Sequence, residues 1–287
     1  MNWNMNKTEV KVLLLLNEGN MTVGELANHL PKSMSWTSNC LAHLESLGFV
    51  ERNKKGNKVF ASLSQNPVGQ SLATLMAEMA ILNLESTLAN SGLTLLPLLL
   101  KPGSSSQSLV KEAGVSLRTV KSHLSRWRRM GIVVLEGGIY FLNPRYKLLT
   151  VFISRFSEFK NAKILRDAYP QARMVWQWRN EFIFSTDEKV DGAKYRTAGV
   201  SRLDDFRYDL LHTNKYYMTG LEPISEEEAL VQSLLIDPNN PRMKRMIRNN
   251  AKINMESLLV HSAKYGMKTK INEALRHDIR KKTLSEG

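Results

Sequence analysis

The feature that most constrains this sequence is an internal repeat, because residues 10–50 return 83 residues further along the chain without a gap. The matched pairs include Leu13/Leu96, Leu16/Leu99, Leu26/Leu109, Leu41/Leu124 and Gly48/Gly131. The dipeptide Asn66-Pro67 then recurs as Asn143-Pro144 at offset 77, so the second copy has lost six residues between these anchors. A repeat of this kind indicates one small folding unit that is present twice.

Each copy is predicted to form three helices, a β-hairpin and a further helix. In copy one, Val10–Leu16 has helical periodicity, and Thr22 and Glu25 form a capping box that opens a short second helix. A third helix runs from about Ser35 to Leu47, and Gly48 is placed to be its C-cap. Alternating residues then predict two strands, at 49–52 and 59–63, joined by a turn at 54–57.

This order of elements is the winged helix-turn-helix, and the residues resemble the MarR and ArsR classes of prokaryotic regulators. In copy one the resemblance rests on Glu25-Leu26-Ala27 and on Leu44 to Arg52. In copy two it rests on Leu109-Val110, Val120 to Leu124, and Gly131-Ile132-Val133. The resemblance covers roughly residues 8–64 and 93–142, and it implies a DNA-binding transcription regulator.

In such a fold the third helix enters the major groove and reads base edges with its exposed N-terminal residues. The base-reading residues predicted in copy one are Ser35, Trp36, Ser38, Asn39 and His43. An asparagine such as Asn39 can make paired hydrogen bonds to adenine. This helix has no Lys or Arg, so the wing is predicted to bind phosphates through Arg52, Lys54, Lys55 and Lys58.

Copy two divides these tasks differently, because its third helix is basic and its wing is short. The predicted DNA contacts are Arg118, Thr119, Lys121, Ser122, Ser125 and Arg126. Arg128 and Arg129 follow, either as further contacts or as a solvated face near the helix C-terminus. The wing is reduced to 136–138 and has no cation. For each copy the alternative of a protein-docking module stays open. The core of this fold is predicted to include Cys40, His123 and Trp127.

An amphipathic connecting helix is predicted after each copy. The apolar seams are Leu72, Leu75, Met79 and Leu82 in the first, and Leu149, Phe152, Phe156 and Phe159 in the second. Alternating spacings of three and four are typical of coiled-coil packing. Two interpretations are open: the chain forms a homodimer through residues 68–90 and 148–165, or the two helices pack on each other within one chain as a pseudo-dimer.

Residues 169–287 change character and are predicted to form an α+β domain. Strands are predicted at 174–178, 181–185 and 215–218, followed by a helix through Ile236 that Ser225 and Glu228 open as a capping box. Further helices are predicted at 242–249, 254–265 and 268–282. The layout is similar to C-terminal domains of abortive-infection-type antitoxin regulators, including Lys264-Tyr265-Gly266. This domain is expected to sense a small molecule or to recruit a protein.

Charge and composition restrict the partners. The net charge of +13 favours a polyanion, although anionic membranes and ribosomes would also attract such a chain. No apolar run reaches the roughly 20 residues of a membrane span, and a cytoplasmic location is expected because the N-terminus lacks a signal peptide pattern. The single cysteine excludes an internal disulfide and a cysteine-cluster metal site.

Enzymes would be expected to show phosphate-binding or nucleophile motifs, and none is found. A metal nuclease is suggested only by scattered acids, which are Asp187, Glu188, Asp204, Asp205 and Asp209. The usual Glu-x-Lys partner is missing from any strand following an Asp. No catalytic residue, metal or cofactor is therefore expected.

The sequence thus predicts a mainly α fold with small β-hairpins, in two winged-helix domains, plus a C-terminal α+β domain. The expected boundaries are 1–66 and 93–143 for the winged helices, 67–92 and 144–168 for the connecting helices, and 169–287 for the last domain. The predicted function is sequence-specific binding of double-stranded DNA. The alternatives are a non-specific architectural DNA binder and a nucleic-acid-processing enzyme with its site after residue 170.

Overall fold

The computed structural model describes residues 3–79, 82–100, 102–208, 210, 214–220, 222–249 and 252–276. The chain forms two compact units, residues 1–160 and 161–287. The described residues are mainly helical and include small antiparallel sheets, which confirms the predicted fold class. The boundary between the units falls inside the second predicted connecting helix, which runs from Lys147 to Ala168.

Copy one forms a winged helix. Its elements are α1 (Lys7–Glu18), β1 (Met21–Thr22), α2 (Val23–His29), α3 (Met34–Ser46), β2 (Val50–Lys55) and β3 (Lys58–Leu63). The predicted capping box of α2 is present: the Thr22 hydroxyl accepts from the Glu25 amide, and the Glu25 carboxylate accepts from the Thr22 amide. The short β1 pairs with β3 and was not predicted, because two residues give no alternation.

The end of α3 explains why glycine recurs at this point of the repeat. The amide of Gly48 donates to the Glu45 carbonyl, and the amide of Phe49 donates to the Leu44 carbonyl. This pair of bonds is a Schellman motif, which requires a left-handed residue after the helix. Gly48 has φ +81° there, and a Cβ would also lie 2.7 Å from the Phe159 ring. Gly48 therefore ends the helix as predicted, although it lies one residue after the C-cap, which is Leu47.

Residues 93–142 form a second set of helices and a hairpin. The elements are α6 (Gly92–Leu95), a 3₁₀ turn (Leu96–Leu99), α7 (Ser106–Ala113), α8 (Leu117–Arg129), β4 (Val133–Glu136) and β5 (Ile139–Leu142). The end of α8 repeats the motif of α3, since Gly131 donates to Arg128 and Ile132 donates to Trp127. Gly131 has φ +70°. The repeat therefore extends from sequence to individual backbone hydrogen bonds.

The structure locates the six residues that copy two lacks. The hairpin ends are paired as Val50 with Leu63 in copy one and as Val133 with Leu142 in copy two, so the second hairpin is four residues shorter. The other two are absent between the last strand and the Asn-Pro dipeptide. The asparagine side chains nevertheless make the same bond: Asn66 donates to the Gly48 carbonyl, and Asn143 donates to the Gly131 carbonyl.

The first connecting segment is not one helix, so the prediction of a continuous helix over 67–92 is wrong. Helix α4 covers Pro67–Glu78, and a separate short α5 covers Leu84–Leu88. Asn83 starts α5, because its side chain accepts from the Ser86 amide. Leu82 lies between the two helices, after the end of α4 and before the start of α5. Its side chain is nevertheless buried, as the apolar spacing predicted.

The second connecting helix, α9 (Lys147–Ala168), forms as predicted, and its residues from Leu149 to Phe159 contribute to the core of the first unit. The Phe156 ring stacks on Phe49 of copy one at 5.5 Å between centroids, and it meets Trp3 edge-on at 6.1 Å. Both predicted seams contribute to this one core, through Leu72 and Leu75 in α4 and through Leu149 and Phe152 in α9. Both seams therefore contribute side chains to the core of the first unit.

The predicted core residues of the two third helices are buried. Cys40 is 4% exposed, and burial together with the Glu9 carboxylate raises the pKa of its thiol to about 12. Its repeat equivalent His123 is 5% exposed, and its ring lies 4.9 Å from that of Trp127. Burial, with a smaller effect of Arg126, lowers the pKa of His123 to about 4. The imidazole is therefore neutral in the folded chain at pH 7.

This histidine predicts an acid-sensitive fold. The unfolded chain takes up a proton near the ordinary pKa of 6.5, whereas the folded chain resists protonation until about 4. Stability contributed by neutral His123 is complete above pH 6.5 and falls as the pH drops toward 4, by up to about 3 kcal/mol. Urea unfolding of His123→Leu should lack this part of the pH dependence, and the exposed His29→Gln should keep it. Identical profiles for His123→Leu and the wild type would contradict a buried neutral imidazole.

The second unit is built on a four-stranded antiparallel sheet in the order β6-β7-β9-β8. The strands are β6 (Arg173–Trp178), β7 (Glu181–Thr186), β8 (Tyr195–Thr197) and β9 (Lys215–Thr219). One face, with Phe182 and Phe184, packs on Leu165 and Tyr169, and the other face, with Ile183, packs on helices. The three long strands confirm the prediction, and the three-residue β8 was missed.

The helices of this unit are α10 (Val200–Leu203), α11 (Glu226–Ile236), α12 (Pro241–Asn249), α13 (Met255–Lys264) and α14 (Lys268–Arg276). The part of the helix predicted for 277–282 lies outside the described residues. The capping box predicted at the start of α11 is wrong in one half. The Ser225 hydroxyl accepts from the Glu228 amide, but the Glu228 carboxylate accepts from the Tyr265 hydroxyl at 2.6 Å and pairs with Lys264. Tertiary partners have replaced the local one, and burial beside this carboxylate raises the pKa of Tyr265.

Candidate nucleic-acid interface

The start of α3 presents a polar face. Ser33 caps the helix, with its hydroxyl accepting from the Trp36 amide at 3.2 Å. Ser35 and Asn39 are exposed and one helical turn apart, and Trp36 and Ser38 are half-buried beside them. The Lys32 ammonium lies 5.7 Å from the centre of the Trp36 ring. These four predicted residues therefore share one accessible end of the helix.

His43 does not join that face. Its Nδ1 atom lies 2.7 Å from the Oε1 atom of Glu9 on α1, and its side chain is 25% exposed. The other oxygen of this carboxylate accepts from the Asn6 amide at the start of α1. Glu9 is 7% exposed and requires partners for its charge. His43 thus joins two helices of the domain, and the interface proposed below leaves it out.

The wing of copy one carries three exposed lysines at its tip, Lys54, Lys55 and Lys58. Arg52 is placed differently from them. Its guanidinium is half-buried and donates through Nε and Nη2 to Oε2 of Glu45, at 2.9 and 2.5 Å. The pair ties the wing to α3. The cations of the wing that remain exposed are therefore the lysines, and Arg52 has a positioning contact that sequence patterns do not reveal.

Helix α8 presents a longer and more basic face. Its exposed residues Arg118, Lys121, Ser122 and Ser125 follow the helical spacing of three and four. Val120, Leu124 and Trp127 are buried on the opposite side. The helix contains five cations and no acid. Arg128 and Arg129 are exposed in its last turn, and Arg126 is half-buried.

Thr119 serves the helix start instead of the exposed face. Its amide donates to the Ser116 hydroxyl at 3.2 Å, and its own hydroxyl lies 2.9 Å from the same Ser116 oxygen. Ser116 is the repeat equivalent of Ser33, so both helices begin with the same cap. The cap is the same in both copies, and the equivalent positions on the accessible face are Ser35/Arg118, Ser38/Lys121 and Asn39/Ser122.

The wing of copy two ends in a two-residue turn, Gly137-Gly138, with φ of +55° and +80°. Two left-handed residues define a type I′ turn, which joins strands with the natural twist. Glu136 and Ile139 flank the turn, and the side chains of Leu135 and Ile139 are 38% and 37% exposed. This hairpin therefore has apolar side chains near its tip, where copy one has lysines.

The acids that suggested a metal nuclease do not converge in the described residues. Asp187 and Glu188 follow β7 and line a cleft of about 530 Å³, whereas the Asp205 carboxylate pairs with Arg202 at 2.5 Å. Asp209 lies outside the described residues. Within the described ranges no group of three or more metal-binding side chains is found, and no helix is both long enough and apolar enough to cross a membrane.

The comparisons with known proteins concern the N-terminal part of the chain. No curated protein matches the sequence. Residues 6–52 match the family described as bacterial regulatory protein, arsR family. The match begins at the N-cap of α1, contains the helix-turn-helix of α2 and α3, and ends in β2. Copy one is therefore similar to the helix-turn-helix of ArsR-type DNA-binding transcription regulators, and duplex DNA is the partner that this match implies.

Proposed function

We propose that this chain is a sequence-specific transcription regulator that reads duplex DNA with two winged helices, through α3 and α8. The observation that carries the proposal is the equivalence of these two helices. Both begin with a serine N-cap and end in a Schellman motif. In both copies an asparagine after the wing donates a hydrogen bond to the carbonyl of the glycine that ends the helix. Copy one matches a DNA-binding family, and α8 has the more basic exposed face of the two.

The two helices have different chemistry for different base edges. Arg118 is placed in the first turn of α8, where an arginine can make paired bonds to guanine O6 and N7. Asn39 has the corresponding capacity for adenine. Since the copies are not identical on their exposed faces, the recognised sequence should be asymmetric, with one part read by each copy. We assign the domains 1–66 and 93–143 to these two functions.

The second unit is proposed to receive a signal, through a small molecule or a protein partner. Its support is that it has a sheet and helix core of its own and that residues 1–160 form a separate compact unit containing both helix-turn-helix copies. The cleft at Asp187 and Glu188, which Arg173 and Asn214 also line, is a polar candidate for a ligand.

Selection from a pool of random duplexes, with excess unspecific competitor, tests this function. A specific regulator should enrich one sequence and should bind it about 10³-fold or more tightly than random DNA. Equal affinity for all duplexes would instead support the architectural alternative. Cleavage of the selected DNA that depends on added Mg²⁺ would support the enzyme alternative.

The wing lysines should contribute affinity without specificity. Substituting Lys54, Lys55 and Lys58 together with Ala should reduce the magnitude of the negative slope of log K against log salt by about two to three units. Each phosphate contact contributes about 0.9 to that magnitude. A control variant removes three lysines that pair with acids, Lys163, Lys194 and Lys270. This paired-lysine variant changes the net charge equally and should leave the slope within about one unit of the wild type. Equal slopes for the two variants would place the wing away from DNA.

A further inference from the structure

Helix α12 of the second unit lies in a stretch of sequence that has many cations and no acid. Among the described elements outside the two helix-turn-helix copies, it has the largest excess of positive charge. Residues 238–255 contain five cations and no acid. They are Arg242, Lys244, Arg245, Arg248 and Lys252. Four of them lie on the nine residues of α12 (Pro241–Asn249). Like charges at this spacing repel one another, so the folded unit holds them together at a cost.

The helix packs against the second unit through its apolar side. Met243 and Ile247 are each 1% exposed and enter the core of the second unit. The Asn240 side chain starts the helix by accepting from the amides of Arg242 and Met243. Arg245 is exposed on the remaining surface, and Lys244 and Arg248 are half-buried beside it. These three side chains lie within one turn of each other along the helix, and we call them the α12 basic face.

No acid of the described residues neutralises this face. Among the described residues of the second unit, ion pairs are formed by other cations, namely Lys163, Lys194, Arg202, His261, Lys264 and Lys270. Within the described part of the chain, Lys244, Arg245 and Arg248 have no carboxylate within 4.0 Å. The Nε atom of Arg248 bonds to the Lys244 carbonyl, so part of the arrangement is fixed before any partner arrives.

We propose that the α12 basic face binds the phosphate backbone of duplex DNA and is a third DNA-contacting element that reads no bases. The proposal rests on the proposed function, since it takes as partner the polyanion that copy one is built to bind. A membrane surface fits less well, because an interfacial helix inserts an exposed apolar face. The apolar side chains of α12 are already packed in the protein: Met243 and Ile247 are buried in its core, and Met246 packs against that core.

The experiment measures equilibrium binding of the full chain to a duplex of unselected sequence over a range of salt. The α12 variant, Lys244→Ala with Arg245→Ala and Arg248→Ala, should reduce the magnitude of the salt slope by about two to three units. The paired-lysine variant, which lies in the same unit and removes the same charge, should stay within about one unit of the wild type. The single change Arg245→Glu, at an exposed position, should weaken binding in the same direction and guards against misfolding of the triple variant.

The outcomes separate this proposal from the proposed function. Suppose that the wild type binds DNA and that the Arg118 and Lys121 variant binds it more weakly. If the salt slope of the α12 variant then equals that of the paired-lysine variant, only the α12 proposal is overturned. If the wild type binds no duplex DNA, both are overturned. Binding to phosphatidylserine vesicles that the α12 variant abolishes, with its DNA slope unchanged, would assign the face to membranes and overturn the proposal.

Discussion

Replacing Arg118 and Lys121 of α8 by alanine together should weaken binding to the selected sequence by about 2–4 kcal/mol, or roughly 30- to 1000-fold. Both side chains are exposed on the face opposite the buried Trp127, and they occupy the positions of Ser35 and Ser38 in the family-matched copy. A lost paired base contact leaves its hydrogen-bonding partner on the base unsatisfied. The variant should therefore also discriminate less between bases in its part of the site. A gel-shift or anisotropy titration measures the effect.

The matched control lies on the same helix. Arg128 and Arg129 are also exposed, but they lie in the last turn of α8, where cations suit the helix dipole. Their double alanine variant loses the same charge and should weaken all sequences alike, with the base preference unchanged. An unchanged affinity of the Arg118 and Lys121 variant for the selected site would contradict a reading role for copy two.

Phe156→Ala in α9 should lower the free energy of unfolding of the first unit by about 3–5 kcal/mol, the usual loss for a fully buried phenylalanine. Phe156 is 1% exposed and contacts Phe49, Phe152 and Trp3. The truncation removes ring contacts that join α9 to copy one, and it leaves a cavity. Val151→Ala, at a position on α9 that is 50% exposed, should change stability by no more than about 0.5 kcal/mol.

This pair of variants also tests how the seams are used. Because α9 is buried within its own chain, the midpoint of thermal unfolding should not depend on protein concentration for the wild type or for Phe156→Ala. In an obligate homodimer joined through residues 68–90 and 148–165, the midpoint would rise with concentration. A concentration-dependent midpoint that Phe156→Ala abolishes would restore the homodimer interpretation.

Local sequence patterns predicted the parts of the fold that depend on local physics. The Gly48 ending needs a left-handed residue, the Thr22 cap satisfies amides three residues away, and the α8 stripe follows helical spacing. These features leave a trace in a single segment. The repeat predicted more than any single motif could. Because the same pattern occurs twice, it indicated the order of helices and strands in each copy even where the individual motifs were degenerate.

Other contacts depend on tertiary partners that a local motif does not report. Glu228 has the spacing of a capping box, yet Tyr265 supplies a better donor from 37 residues away. His43 and Arg52 are placed like DNA contacts, yet Glu9 and Glu45 bind them within the domain. Nothing in the local pattern reports such a carboxylate. The same limit applies to the α12 basic face: its charge is visible in the sequence, but only the fold shows that no carboxylate of the described residues lies within 4.0 Å of Lys244, Arg245 or Arg248.

The most direct measurement of the central claim is the base preference of single-copy variants at each position of the selected sequence. Two reading helices in one chain predict that Asn39→Ala relaxes the preference at one group of positions and that Arg118→Ala relaxes it at a separate group. Each mismatch in the wild-type site should cost about 1–3 kcal/mol, and each variant should remove that cost only in its own group. If both variants kept the wild-type preference at every position, neither helix would read bases, and the tandem regulator proposed here would be contradicted.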